Sequence, residues 1–225
     1  MAMLQTLDRG LKALFFIANS ENGKSVAELA NELEIDRAVA YRIANTLEHN
    51  GLVSRKMGGR LFLGASIVGL ESSFEPQLRQ LVRPLLKELA QKTNATAFMT
   101  IAQDEEGVAI SVCEPDTALL RVGYKVGSRH PINMGAAGIA ILAARPETAA
   151  DRPEICEARK AGYSITRGAL QKGAVGVARA LSRIERNTGP FEASIGVVAM
   201  EDLDIDNAVS SVLNCVQKTD HLLSN

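Results

Sequence analysis

A chain of 225 residues can bury a real core without staples, as one large domain or two small ones. Hydrophobic residues at 46% against 23% charged, with only 7 Pro and 18 Gly, exclude a disordered tail, a fibrous protein and a low-complexity segment. Twenty-five basic residues nearly balance 26 acidic ones, so bulk charge cannot hold nucleic acid and any such contact has to be local.

Leu7, Leu11, Leu14, Phe15 and Ala18 recur at three-and-four spacing and predict an amphipathic helix over 6–19, stopped by Asn22-Gly23. Ser25-Val26-Ala27-Glu28 has the capping-box pattern, a hydroxyl for the third amide and a carboxylate reaching back, which starts a second helix over 25–34. Asp36 is placed to cap a third helix striped by Val39, Ile43 and Leu47, and Gly51 supplies the left-handed residue that ends it. A strand over 52–55, a turn at Met57-Gly58-Gly59-Arg60 and a strand over 61–63 make a hairpin. Three helices, the last two sharing a tight turn, followed by a hairpin, spell a winged helix-turn-helix whose third helix fits a major groove.

Charge is sorted by place in this stretch. From Glu28 to Asp36 there are four acids and no base, whereas Arg37 to Arg60 carries five bases and one acid, Glu48. The expected DNA-facing set is Ser25, Arg37, Tyr41, Arg42 and Asn45 on the helices, with Arg55, Lys56 and Arg60 on the wing. The plain alternative is a protein-interaction module with a solvated basic face, in which Arg42 pairs with Glu48 or Asp36.

The chain changes character near residue 64. Residues 65–90 read as helix, broken or kinked around Glu75-Pro76 and Pro84, with an apolar side suited to dimer contact. Strands are expected near 95–103, 108–113 and 119–124 as a meander, then an Ala/Gly-rich helix from Asn133. Strands over 175–184 and 192–200 flank Asn187-Thr188-Gly189-Pro190, and a helix from 204 closes the chain. An antiparallel sheet with helices on its faces is an α+β fold, whose natural cavity lies between sheet and covering helix. Met134-Gly135-Ala136-Ala137-Gly138 either lets first-turn amides approach a small carboxylate or lets the helix sit close to the sheet.

Nothing reads as an enzyme. His49, His130 and His221 are scattered, and no His-Glu-x-x-His, Gly-x-Ser-x-Gly or phosphate-loop pattern occurs. Cys113, Cys156 and Cys215 fit no metal-ligand spacing, so free thiols are expected, with no metal and no cofactor. Residues 1–8 lack a secretory pattern and no apolar run approaches 18 residues, which predicts a cytoplasmic protein away from the membrane. A metabolite-binding or redox sensor with a vestigial DNA-binding domain stands as the second reading.

The run Leu7-Asp8-Arg9-Gly10-Leu11-Lys12-Ala13-Leu14, then Ser25 to Leu33, Tyr41-Arg42-Ile43, Thr46-Leu47-Glu48 and Gly51-Leu52-Val53, resembles the DNA-binding domain of IclR-type bacterial transcriptional regulators. Pro84 to Ala90 with Thr93 to Ala97, and Val126 to Ile132 running into Ala136 to Ala143, are similar to that family's linker and effector domain. The resemblance implies a winged helix-turn-helix domain at 1–64, a helical linker at 65–83 and a GAF-like effector-binding and oligomerisation domain at 84–225. It also implies a homodimer or homotetramer on a pseudo-palindromic operator in double-stranded DNA, controlled by a small-molecule effector such as an aromatic or other organic acid. Ala38-Val39 departs from the family's Ser-Thr, Gly176 stands where the family usually has Cys, and Gly196 matches a common Ser. The family's acidic pair is replaced by Ala169-Leu170-Gln171-Lys172, and 143–162 looks short, which implies a reduced covering helix. Two glycines in place of a thiol and a hydroxyl suggest a roomier pocket for a larger or less polar ligand such as an aromatic acid, with Arg179 as carboxylate partner if it points inward. The expected effector-binding set is Asn133, Met134, Gly135, Ala136, Gly176, Ala178, Arg179 and Gly196.

Overall fold

The computed structural model describes residues 3–56, 58–72, 76–116, 123–182, 184–186 and 189–223. Two compact units part between Pro76 and Gln77, inside the stretch expected as a linker. Among the described residues no helix is long and apolar enough to cross a membrane, and no cluster of His, Cys, Asp or Glu could hold a metal ion.

The first unit contains α1 (Gln5–Ala18), α2 (Val26–Glu32), α3 (Arg37–His49), the hairpin β1 (Val53–Arg55) and β2 (Leu61–Leu63), and α4 (Ser66–Ser72). Ser25 caps α2 with both bonds of the capping box, and Gly51 takes a φ of +68° after α3. Asp36 occupies the cap position of α3, but its side chain accepts no capping bond. The core joins Ala13 and Ile17 to Leu29, Ala40, Ile43, Ala44, Leu47, Val53 and Leu61. The apolar stripe expected to define α1 is therefore not its buried side. Leu7, Leu11 and Phe15 are 60%, 49% and 67% exposed, whereas Ala13 and Ile17 are buried and, of the expected stripe, Leu14 alone packs against that core.

The second unit runs α5 (Pro76–Thr93), β3 (Thr96–Gln103), β4 (Glu106–Cys113), β5 (Arg129–Pro131), α6 (Gly135–Ala144), α7 (Pro153–Ala161), β6 (Ser164–Arg167) and β7 (Ala174–Ala180). A hairpin, β8 (Ile184–Arg186) and β9 (Gly189–Phe191), precedes β10 (Ala193–Met200) and α8 (Ile205–Leu223). Six strands form one antiparallel sheet in the order β5-β4-β3-β10-β7-β6. Strand alternation gives the sheet two faces. Ala97, Met99, Val175, Val177, Ile195 and Val197 meet α5 and α8 on one face. Ser194 on the other face donates to the Ala137 carbonyl of α6, and Gly176 packs under Ala136.

Helix α5 starts at Pro76, one of the two places where a break or kink was expected, and is not interrupted at Pro84, the other. The strand expected at 119–124 falls largely outside the described residues, and Gly123 and Tyr124 are not strand. In 143–162, where a reduced covering helix was expected, the nine-residue α7 packs its Ile155 and Ala158 on Ile139 of α6.

Candidate nucleic-acid interface and effector cavity

On α3, Ala40, Ile43, Ala44 and Leu47 are buried, which leaves Arg37, Tyr41, Arg42 and Asn45 exposed. Among the described residues the side chains of Arg37 and Arg42 make no hydrogen bond or ion pair, so both cations are open to an external anion. The pairing of Arg42 with Glu48 is not adopted, because Arg55 takes that carboxylate. Arg55 reaches from β1 back across α3: its Nε donates to Glu48 at 3.3 Å, Nη1 to the Tyr41 hydroxyl at 3.4 Å and Nη2 to Asn45 Oδ1 at 3.1 Å. Its guanidinium carbon lies 5.2 Å from the Tyr41 ring centre.

Two other residues expected to face DNA are spent on the fold. Arg60 donates to the carbonyls of Asn22 and Gly23 at 2.8 and 2.9 Å and pairs with Glu28 at 3.2 Å, which bolts the hairpin to the turn before α2. Ser25 Oγ accepts from the Glu28 amide while its own N–H donates to the Glu28 carboxylate at 2.8 Å. Hydrogen bonds to Ser25, helped by Arg60 and Lys24, hold the Glu28 carboxyl below its ordinary range. Lys56 is exposed, with its ammonium 4.4 Å above the Phe62 ring. The expected set thus sorts into free cations (Arg37, Arg42, Lys56), one interlocked cluster (Tyr41, Asn45, Arg55) and two structural groups (Ser25, Arg60).

In the second unit a cavity of about 150 Å³ lies at the amino-terminal end of α6. Gly135, Ala136 and Ala137 line it from the helix, Phe98, Gly176 and Val198 from the sheet, and Tyr124, His130, Thr166 and Leu170 from the sides. Of the expected effector-binding set, Gly135, Ala136 and Gly176 line this cavity. The other five are not in its lining. Asn133 and Met134 are exposed, and Ala178 and Gly196 are buried within the sheet. Arg179 shares the strand parity of Val175 and Val177, is exposed, and lines a separate groove with Ala143 and Arg159 near the carboxy-terminal end of α6.

The extra room expected from two glycines is absent as well. A Cβ on Gly196 would stand 2.7 Å from Phe98 Cζ and 2.7 Å from Ala178 Cβ, so Phe98 already occupies that volume. A Cβ on Gly176 would meet that of Ala136 at 3.2 Å. The hydroxyls of Ser164 and Ser194 donate to the Ala136 and Ala137 carbonyls at 2.6 and 3.1 Å, which fixes α6 close to the sheet.

Phe98, Tyr124, His130, Thr166 and Leu170 were not singled out from the sequence as lining residues. The Tyr124 hydroxyl bonds Thr100 at 3.2 Å and His130 Nε2 at 3.3 Å, and its ring meets Phe98 edge-on with centres 5.1 Å apart. Burial pushes the Tyr124 phenol up, so it stays a neutral hydroxyl at neutral pH. His130 showed itself in the sequence only as one of three scattered histidines, inside the family-like run Val126 to Ile132.

Comparison with known proteins agrees with this architecture. Residues 6–56 match the model of the IclR helix-turn-helix domain, and 74–153 match that of the bacterial transcriptional regulator IclR C-terminal domain. The transcriptional repressor IclR of Escherichia coli is 30% identical over 145 residues, which is 62% of this chain and 53% of that protein. This chain spans about half the length of the first curated relatives it matches. An IclR transcriptional regulator from Alicyclobacillus acidocaldarius superposes with a TM-score of 0.78 at 19% identity, covering 98% of this chain and 99% of that one. An IclR homologue from Microbacterium hydrocarbonoxydans, solved with 4-hydroxybenzoate, gives 0.78 at 17% identity, covering 97% and 99%. With both family domains matched in order and the fold shared along nearly its whole length, the chain belongs to the IclR family.

Proposed function

We propose that the chain is a sequence-specific DNA-binding transcriptional regulator, not an enzyme, whose second unit takes a small organic acid as effector. The observation that carries the DNA reading is α3 itself, whose outer face presents two unpaired arginines beside a hairpin wing. Binding sites selected from a random duplex pool at near-physiological salt should form a pseudo-palindrome. Arg42→Ala should weaken binding and lower the salt slope while the protein stays folded. No enriched sequence, or unchanged affinity and slope in the variant, would reject the assignment.

The effector reading rests on the cavity. Its volume, about 150 Å³, is of the size that holds a single benzene ring, and apolar groups dominate its lining. That size suits a one-ring ligand, in keeping with the aromatic acid the sequence suggested. The α6 amides and the Tyr124–His130 pair are the polar groups at hand for a carboxylate or hydroxyl. The 4-hydroxybenzoate in the Microbacterium homologue supports an acid of this shape. A thermal-shift panel should single out benzoate-sized acids over two-ring acids, and the reverse order would refute it.

The proposal includes a homodimer as the DNA-binding unit, with 1–64 as reader, 65–83 as connector and 84–225 as sensor. The exposed Leu7, Leu11 and Phe15 face of α1 supports self-association. An effector that favours one arrangement of the paired sensors then changes DNA affinity by its differential binding.

A further inference from the structure

The interlocked cluster on α3 holds more information than a basic patch does. A guanidinium has donors only, so the atom of the Asn45 amide that faces Arg55 at 3.1 Å has to be the oxygen. Its nitrogen consequently points away from the cluster, and among the described residues Asn45 Nδ2 has no partner. Each nitrogen of Arg55 is engaged: Nε with Glu48, Nη1 with Tyr41, and Nη2 with Asn45 and Glu48. The side chain is only 23% exposed, beneath the Tyr41 ring. Such a group is poorly placed to seek a phosphate. It is well placed to hold its neighbours.

We propose that Arg55 is a positioning residue for base readout, fixing the Asn45 amide so that its N–H donors face the DNA and read an acceptor atom on one base pair of the site. This rests on the DNA-binding reading above. An unconstrained Asn can turn oxygen and nitrogen together onto adenine, accepting from N6 and donating to N7. Here the oxygen is turned to the protein, so the donors are matched by purine N7, guanine O6 or thymine O4. Glu48 completes the device. It balances the guanidinium on the protein side, and Arg55 in return neutralises the one carboxylate that α3 holds beside the phosphates.

The test is selection of sites from a random duplex pool by the full chain and three variants, with melting curves to confirm folding. Asn45→Asp keeps the acceptor toward Arg55 and removes the donors. It should lose a preference of about tenfold at one base pair and leave the rest of the selected sequence intact. Arg55→Lys keeps the charge, but a single ammonium cannot hold Glu48, Tyr41 and Asn45 from one plane. It should relax the same base pair with the salt slope unchanged. Asn45→Ala, at an exposed position, gives the same readout should the Asp variant melt early. Uniform weakening of all sequences by Arg55→Lys with base preferences intact would make Arg55 a phosphate contact and overturn the inference. Unchanged preferences in all three variants would overturn it alone, whereas a wild-type pool with no enriched sequence would overturn the DNA-binding reading and the inference together.

Discussion

Ser25 illustrates how much one side chain does when its partners are local. Its hydroxyl and amide close the first turn of α2 from both ends of the capping box, so Ser25→Ala should cost about 1 kcal/mol in urea unfolding. The pH dependence has a definite sign. Glu28 has a lowered carboxyl in the folded chain, so its contribution is present above the ordinary value near 4.5 and is lost as pH falls through the depressed one. Removing Ser25 should flatten that acid limb, which unfolding curves between pH 3 and 6 will show. This box was legible because its two residues are three apart. Arg60 and Arg55 were not, since their acceptors lie 38 and 10 positions away and only the folded hairpin brings them within reach. Burial explains the thiols as well. It pushes Cys215 up to about 11 and raises Cys113, which keeps both thiols protonated at neutral pH and argues against a redox sensor at either.

At the scale of elements, α6 is set by what its residues lack. A Cβ on Gly138 would lie 1.9 Å from the Ile132 carbonyl oxygen, so the chain entering the helix passes directly over that position. Gly138→Ala has to displace backbone and should destabilise the protein by roughly 1–3 kcal/mol, read as a lowered melting temperature, with binding in the adjacent cavity weakened too. The sequence left two uses open for this Gly/Ala run. Close packing is what the structure adopts, with the first-turn amides at the cavity as its by-product. Helix α5 shows the opposite balance. Pro84 argued for a break, at about 3 kcal/mol in a helix interior. Leu78, Val82, Leu86 and Leu89 are each nearly fully buried, at about 1.5–3 kcal/mol apiece, and their combined burial outweighs that penalty. The short strands β5 and β6 escaped notice because three or four residues carry too little alternation to stand out.

For the whole molecule, a change from a helical first part to a sheet-based second part was visible in the shift of pattern near residue 64, and the structure parts its two units twelve residues later. The outer side of α1 was not readable, because two apolar stripes share one helix and only packing shows which is spent. If the exposed stripe of Leu7, Leu11 and Phe15 is the dimer seam, Leu7→Glu with Phe15→Glu should leave the fold and melting point near wild type while light scattering reports a monomer. Operator binding would fall with it, since two half-sites engaged by a linked pair are held far more tightly than one. A monomeric wild type would remove this part of the proposal.

The centre of the sensor sheet joins β3 to β10, with Ala97 opposite Val197, a hundred residues later in the chain. Sequence separation of that size is slow to close, and it sets an order on the ribosome. The reader, whose core is complete by Leu61, can fold while the rest is still being made. The sensor has to wait, with β3 and β4 holding an unpaired edge until β10 emerges. A newborn chain therefore passes through a stage in which the first unit, with the face proposed for DNA, is finished while the cavity proposed for the effector is not yet built.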